Sequence, residues 1–254
     1  SFKHNNINAL EDKIQKAKGQ VWVAVESIYS MDGDEAPLKE LVDLCKRKNA
    51  ALIVDEAHAC GVFGEKGEGL VVRHALENDV FARIVTFGKA FGAHGAVVLG
   101  NRLLRDYLIN YSRALIYTTA LPLPSVLVIR KSHTFLLNNF DRIKELKDLI
   151  SYFKERIINN QYQIINSDSA IQCIIVPGND EVKTLAEKVQ NNGFDVRPIL
   201  SPTVPKGEER LRICIHAFNT KEQIDGVITC LVETFPLEGR LRGVTNKSIT
   251  IIKN

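Results

Sequence analysis

Ala51-Leu52-Ile53-Val54-Asp55-Glu56-Ala57-His58 sets four apolar residues directly before two carboxylates and a histidine. A short apolar run containing β-branched residues and closed by polar ones reads as a buried strand. Upstream, Val21-Trp22-Val23-Ala24-Val25 reads the same way, and Pro37 opens a helix through Lys48 with Leu38, Leu41, Val42 and Cys45 on one face. Downstream, Ile84-Val85-Thr86-Phe87 and Ala96-Val97-Val98-Leu99 read as two more strands, the second bounded by Gly95 and Gly100. A helix from about Arg102 to Ala114 follows them. Strands alternating with amphipathic helices predict an α/β fold with a mainly parallel sheet.

Beyond Leu121-Pro122-Leu123-Pro124 the pattern changes. A long helical region over about 125–159 leads to a strand at 171–176, a helix near 180–192, a strand at 211–215 and a final helix near 220–234. That order predicts a smaller α+β unit. The expected division is 1–130 for a large domain and 131–238 for a small carboxyl-terminal domain, with 239–254 left unassigned.

Composition narrows the function. With 254 residues, 45% apolar, 25% charged and a net charge of +3, the chain has the make-up of a soluble protein with a substantial core. Its charges are scattered, without the basic block that tracks a nucleic-acid backbone, so no nucleic-acid partner is expected. The five cysteines (Cys45, Cys60, Cys173, Cys214, Cys230) are widely spaced and form no CxxC pair. This argues against a disulfide framework and a zinc ribbon, and it fits a reducing cytoplasm. No apolar run reaches membrane-spanning length, so no membrane partner is expected, and Ser1-Phe2-Lys3-His4-Asn5 is not a signal peptide. A start without Met predicts a piece of something longer.

Ligands of open α/β sheets bind beyond the carboxyl ends of the strands. Three such ends carry reactive residues: Ser30-Met31-Asp32-Gly33-Asp34, Asp55-Glu56-Ala57-His58, and Thr86-Phe87-Gly88-Lys89-Ala90-Phe91-Gly92. Among small residues and aromatics, the Lys89 amine is expected to be desolvated and nucleophilic. Asp55, at the mouth of an apolar strand, calls for a cationic partner, which a protonated pyridine ring supplies. A Schiff-base lysine with an aspartate on a pyridinium nitrogen is the recurring arrangement for pyridoxal 5'-phosphate (PLP). Two other readings fare worse. Asp55-Glu56-Ala57-His58 spells the DEAH box of nucleic-acid helicases, but the accompanying phosphate loop GxxxxGK[ST] is absent from these 254 residues. His58 and Cys60 alone are not a metal-ligand set, so no metal is expected.

The three strand-end motifs, with Pro202-Thr203-Val204-Pro205, resemble the α-oxoamine synthases, PLP enzymes of the type I aspartate aminotransferase fold. The likeness runs in order from His4 to about Phe235 and implies that 1–130 is the remainder of a PLP-binding domain. Thr86-Phe87-Gly88-Lys89 and Tyr117-Thr118-Thr119 look most like members that condense L-alanine with a pimeloyl thioester, losing CO2, to make 8-amino-7-oxononanoate for biotin. Glycine C-acetyltransferase is the nearer competitor, and a non-catalytic subunit is disfavoured because Lys89 is present. The resemblance implies Lys89 as Schiff-base lysine, Asp55 on the ring nitrogen, and His58 and Ser30 on the phenolic oxygen. It implies Thr86 on the phosphate and Thr119 on the phosphate of a neighbouring subunit, hence a homodimer. Arg212 falls where the family binds the amino-acid carboxylate, and Thr203 at a substrate-contacting position. Arg197 is the nearest arginine for the far carboxylate of a pimeloyl chain, carried as a CoA or acyl-carrier-protein thioester. Missing from this stretch are the family's amino-terminal arm, a glycine-rich segment near the phosphate and the histidine that stacks on the ring. A whole active site is therefore not expected in these residues.

Overall fold

A computed structural model describes residues 1–234; the unassigned stretch 239–254 lies outside them. In chain order the elements are α1 (Ile7–Lys16), β1 (Trp22–Glu26), α2 (Leu38–Arg47), β2 (Ala51–Asp55), α3 (Leu70–Arg73), β3 (Ala82–Thr86) and β4 (Ala96–Gly100). They continue with α4 (Arg102–Tyr111), α5 (Arg113–Ile116), α6 (Leu123–Asn138), α7 (Asp141–Asn159), β5 (Ile171–Ile175), α8 (Asn179–Asn191), β6 (Arg197–Ile199), β7 (Arg210–Cys214) and α9 (Lys221–Thr234).

By their contacts these elements form two units, Ser1–Ser30 with Glu35–Lys144, and Met31–Asp34 with the described residues from Glu145 onward. The division falls inside α7, later than the expected 130/131. Two contacts explain why α6 stays with the first unit. Its Leu136 lies against Gly67, and its His133 stacks on Phe91. In α7, by contrast, the buried Leu146, Leu149, Ile150, Phe153 and Ile157 follow the i, i+3, i+4, i+7, i+11 spacing of one helix face beyond the division.

The first unit holds the sheet β1-β2-β3-β4, in which β1, β2 and β3 are parallel and β4 returns antiparallel to β3. Val23, Val25, Leu52 and Val54 are buried in its strands, and Leu38, Leu41, Val42 and Cys45 of α2 are buried as the sequence pattern predicts. The expected helix over 102–114 breaks at Ser112, which separates α4 from α5. The expected single helix over 125–159 breaks at Asn139, whose side-chain amide donates to the Phe135 carbonyl at 2.8 Å. No residue of α4, α5 or α6 is buried, and Leu103, Tyr107, Leu123, Leu127 and Phe135 are exposed.

The second unit holds an antiparallel sheet in the order β5-β7-β6. Val182, Leu185 and Val189 of α8, and Ile224, Ile228 and Leu231 of α9, are buried with Ile174 and Leu211 of the strands. No helix among the described residues is long and apolar enough to cross a membrane.

Candidate active site

The carboxyl ends of β1, β2 and β3 lie side by side. Glu26 is the register partner of Asp55, and Asp55 is that of Ile84, two residues before Thr86. Neighbouring strands stand about 4.8 Å apart, so Glu26, Asp55 and Thr86 line one edge of the sheet. Asp55 is half-buried, and its Oδ1 accepts the Ala57 N–H at 2.8 Å. His58 is half-buried in the turn that follows, where the Ala59 and Cys60 amides both donate to the Glu56 carbonyl. Thr86 Oγ1 is buried with no hydrogen-bond partner among the described residues. Buried hydroxyls are rarely left so.

Lys89 stands in the reversal between β3 and β4. Phe87 N–H donates to the Gly95 carbonyl at 2.9 Å, Ala93 N–H to the Phe87 carbonyl at 2.7 Å, and Gly92 N–H to the Lys89 carbonyl at 2.9 Å. Phe87 meets Phe91 edge to face at 5.5 Å, and Phe91 stacks with His133 of α6 at 6.4 Å. The aromatics thus engage one another and α6, while Gly88, Lys89 and Ala90 are exposed. The expected apolar enclosure of Lys89 is absent among the described residues. His94 is exposed too.

A glycine brings the Asp55 and Lys89 loops together. Gly61 has φ +85°, and a Cβ added there would lie 2.5 Å from the Ala90 Cβ. The turn that carries His58 therefore lies directly against the residue after Lys89, and any larger side chain at Gly61 would push the two apart. An amine, a carboxylate and an unpaired buried hydroxyl on adjoining strand ends fit a pyridinium aldehyde bearing a phosphate. The carboxylate suits its ring nitrogen and the hydroxyl its phosphate.

Glu26 completes this edge, although the sequence reading passed over it. Its carboxylate accepts the Ser30 N–H at 2.9 Å and the Ser30 hydroxyl at 3.4 Å, and so orients Ser30. Its signal was available: it closes the first apolar strand as Asp55 closes the second. Thr119 is not at a strand end. It lies in an exposed stretch before α6.

The rest of the first motif does a different job. Within the second unit, Asp32 pairs with Arg210, whose guanidinium is buried and pulled below its usual pKa by that burial. Ser167 Oγ donates to the Gly33 carbonyl at 2.8 Å, and Cys173 Sγ donates to the Met31 carbonyl at 3.4 Å. Gly33, at φ +81°, has no room for a side chain against the Ile171 carbonyl. Met31–Asp34 is therefore clamped onto β5 and β7.

Arg212 is half-buried in the middle of β7, directly opposite Cys173 on β5 and Arg197 on β6. Directly opposite residues share a face of the sheet, so the two arginines stand side by side. Arg197 is exposed and pairs with Asp195 at 3.0 Å. Thr203 is exposed in the turn after β6. His216 lies beyond the end of β7, exposed and stacked on Phe218 at 4.8 Å.

Comparison with known proteins gives this arrangement a family. The chain is 40% identical over 228 residues to an 8-amino-7-oxononanoate synthase from Emericella nidulans, covering 86% of this chain and 55% of that protein. Among solved structures it matches a serine palmitoyltransferase from S. paucimobilis with a bound PLP–myriocin aldimine, with TM-score 0.84 and 27% identity over 90% of this chain and 58% of that one. It also matches an 8-amino-7-oxononanoate synthase from Francisella tularensis, with TM-score 0.78 and 28% identity over 91% of this chain and 66% of that one. The chain spans about three fifths of the length of such curated relatives. A sequence profile described as aminotransferase class I and II matches residues 1–231. With its α/β fold of the type I aminotransferase kind, the chain belongs to the aminotransferase class I and II family.

Proposed function

We propose that this chain serves a PLP-dependent C-acyltransferase that condenses L-alanine with a pimeloyl thioester to give 8-amino-7-oxononanoate. The observation that carries the reading is the close approach at Gly61 and Ala90, which seats the Asp55 and Lys89 loops against each other. The names of the relatives in Emericella nidulans and Francisella tularensis support the choice of substrates.

When bound, PLP supplies an electron sink that stabilises a carbanion at the amino-acid Cα. The Lys89 amine would hold the cofactor at its aldehyde carbon and, as a free amine, would take the α-proton of the amino acid. The Asp55 carboxylate, its Oδ1 held by the Ala57 N–H at 2.8 Å, would keep the ring nitrogen protonated. His58 and Ser30, the latter oriented by Glu26, bond the phenolic oxygen, and Thr86 donates its unpaired hydroxyl to the phosphate. The new C–C bond joins the alanine Cα to the thioester carbonyl carbon. The C–S bond breaks and the thiol of CoA or acyl-carrier protein leaves with the proton taken from Cα. The bond from Cα to the alanine carboxyl then breaks, CO2 departs, and Cα takes up a proton from solvent. Arg212 binds the amino-acid carboxylate, a task suited to a guanidinium fork. Thr203 contacts substrate, and Arg197 reads the far carboxylate of the acyl chain.

The working form in this reading is a cytoplasmic homodimer in which Thr119 reaches the phosphate of the partner's cofactor. The exposed apolar side chains of α4–α6 support a second copy covering them. A second reading, with serine or glycine as the amino acid, is favoured by the likeness to the serine palmitoyltransferase. One titration separates them. Protein carrying this chain is loaded with PLP, and its visible absorbance is followed as L-alanine, glycine and L-serine are added in turn. Alanine is expected to perturb the band at the lowest concentration. Preference for serine or glycine would transfer the assignment to the second reading, and absence of any PLP band would remove both.

A further inference from the structure

Glu56 is the most completely engaged residue near the site, and the proposed chemistry gives it no task. It is 0% exposed. Its Oε1 accepts the Leu70 N–H at 2.6 Å and the Val71 N–H at 2.9 Å, and its Oε2 accepts Arg83 Nε at 2.6 Å. Arg83 Nη2 also meets that carboxylate, and it donates to the Glu68 carbonyl at 2.7 Å. The Glu56 N–H donates to the Ile84 carbonyl at 2.8 Å, and its own carbonyl accepts from Ala59 and Cys60 at 3.0 Å each. Gly69 is shaped to the same group, since a Cβ there would lie 2.7 Å from Glu56 Oε1.

This anchoring reaches the reacting edge through one peptide bond. The N–H that holds Asp55 Oδ1 belongs to Ala57, so it sits on the peptide whose other end is Glu56. The Asp55 carbonyl is fixed in turn by the Ser27 N–H at 2.8 Å. Asp55 therefore has its main chain set by β1 and its carboxylate plane set by the Glu56–Ala57 peptide. Arg83 lies on β3, two residues before Val85 and three before Thr86, so the same ion pair ties the Asp55 turn to the strand that leads to Lys89.

We infer that the Glu56–Arg83 pair is a positioning device that sets the orientation of the Asp55 carboxylate toward the cofactor ring. The inference rests on the PLP reading above. A pair with only a structural role can often be replaced by two apolar side chains of similar size at little or no loss, whereas removing one partner strands a buried charge. A positioning pair cannot be replaced in that way, because apolar side chains supply no acceptor for Leu70 and Val71 and no grip on the Glu56–Ala57 peptide.

The test separates stability from cofactor geometry. Glu56→Leu, Arg83→Leu and the double variant are compared with the parent protein for thermal midpoint and for the PLP dissociation constant, read from the visible band. Each single variant is expected to lose on both counts. The double variant is expected to have a thermal midpoint above that of either single variant, short of the parent because the Leu70 and Val71 amides lose their acceptor, while PLP remains bound about ten-fold or more weakly. Recovery of both in the double variant overturns the inference. If the double variant does not accumulate folded, Arg83→Lys carries the test, because it keeps the buried charge but loses the two-point grip. An unchanged midpoint with PLP bound about three-fold or more weakly supports positioning, and unchanged affinity overturns it. A parent protein that takes up no PLP defeats the underlying reading, a result distinct from either outcome for the variants.

Discussion

The two sheets present their functional candidates in opposite ways. In β1-β2-β3-β4 they stand at strand ends, at Glu26, Asp55 and Thr86, with Lys89 just beyond. In β5-β7-β6 Arg212 stands in mid-strand, and Arg197, the first residue of β6, lies directly opposite it across the ladder. Physics accounts for the contrast. Parallel strands are covered on their faces by their own crossover connections, which leaves the ends as the accessible chemistry. An antiparallel sheet can leave one face open, so a charged side chain in the middle of a strand can still reach a ligand. The difference suggests a division of labour in which strand ends hold a cofactor and strand faces read a substrate.

Four experiments break or sharpen that division, and the largest effect belongs to Lys89. Lys89→Ala is expected to abolish both the visible PLP band and turnover, and borohydride reduction of the parent protein should label Lys89 alone. A pyridoxyl label on a lysine outside the β3–β4 reversal would break the assignment of the cofactor to the strand ends.

Asp55→Asn comes next. It should keep PLP bound but slow α-proton exchange on the order of a hundred- to a thousand-fold, the equivalent of about 3 to 4 kcal/mol. Near-parent exchange would show that the strand-end carboxylate is structural.

The two arginines of the second sheet should behave differently. Arg212→Ala is expected to raise the KM for the amino acid, and Arg197→Ala the KM for a pimeloyl thioester, each about ten-fold or more, from the loss of a charge-assisted pair. Neither should alter the PLP band. A band lost with either arginine would erase the distinction between the sheets, and an equal Arg197 effect on an uncharged acyl chain of the same length would remove Arg197 from the site.

The smallest effect is a reactivity that stays low in both units. Burial pushes the Cys60 thiol up to about 12 in the first unit and the Cys173 thiol up to about 12 in the second. Both thiols stay protonated at pH 8, so neither should react with a thiol reagent in the native protein. Reaction at one and not the other would identify the unit that opens more readily.

Much of this was legible in the sequence, for definite reasons. The strand closing at Asp55 and the strand leading to Lys89 announce themselves because an apolar run ends abruptly at a polar residue. The same rule reaches Glu26, but Val25-Glu26-Ser27-Ile28 returns to an apolar residue two places later and so blurs the strand end. β6 was hidden because it is three residues long and contains Pro198, which weakens any strand signal. The role of Asp32 and Gly33 as a clamp depends on Arg210 and Ile171, far away in the chain, and no local pattern encodes such a contact. Glu56 was visible only as the second letter of a motif, since its partners are the backbone amides of α3 and a guanidinium on β3.

The antiparallel return of β4 has a consequence in time. β3 and β4 are joined by the short segment 87–95, whereas β1 and β2 are separated by 27–50, and β2 and β3 by 56–81. Closing a long loop costs more entropy before any contact rewards it, so ladders between strands far apart in the chain form late. The β3–β4 hairpin, by contrast, can form within about 1–10 μs of the chain beginning to fold. The hydrogen bonds that turn the chain at Lys89, from Phe87 to Gly95 and from Ala93 to Phe87, are local and need no docked Asp55 strand. The backbone bend at the lysine is thus a local product, whereas its packing, Ala90 on Gly61 and Phe91 on His133, waits with the aspartate's for the long loops to close.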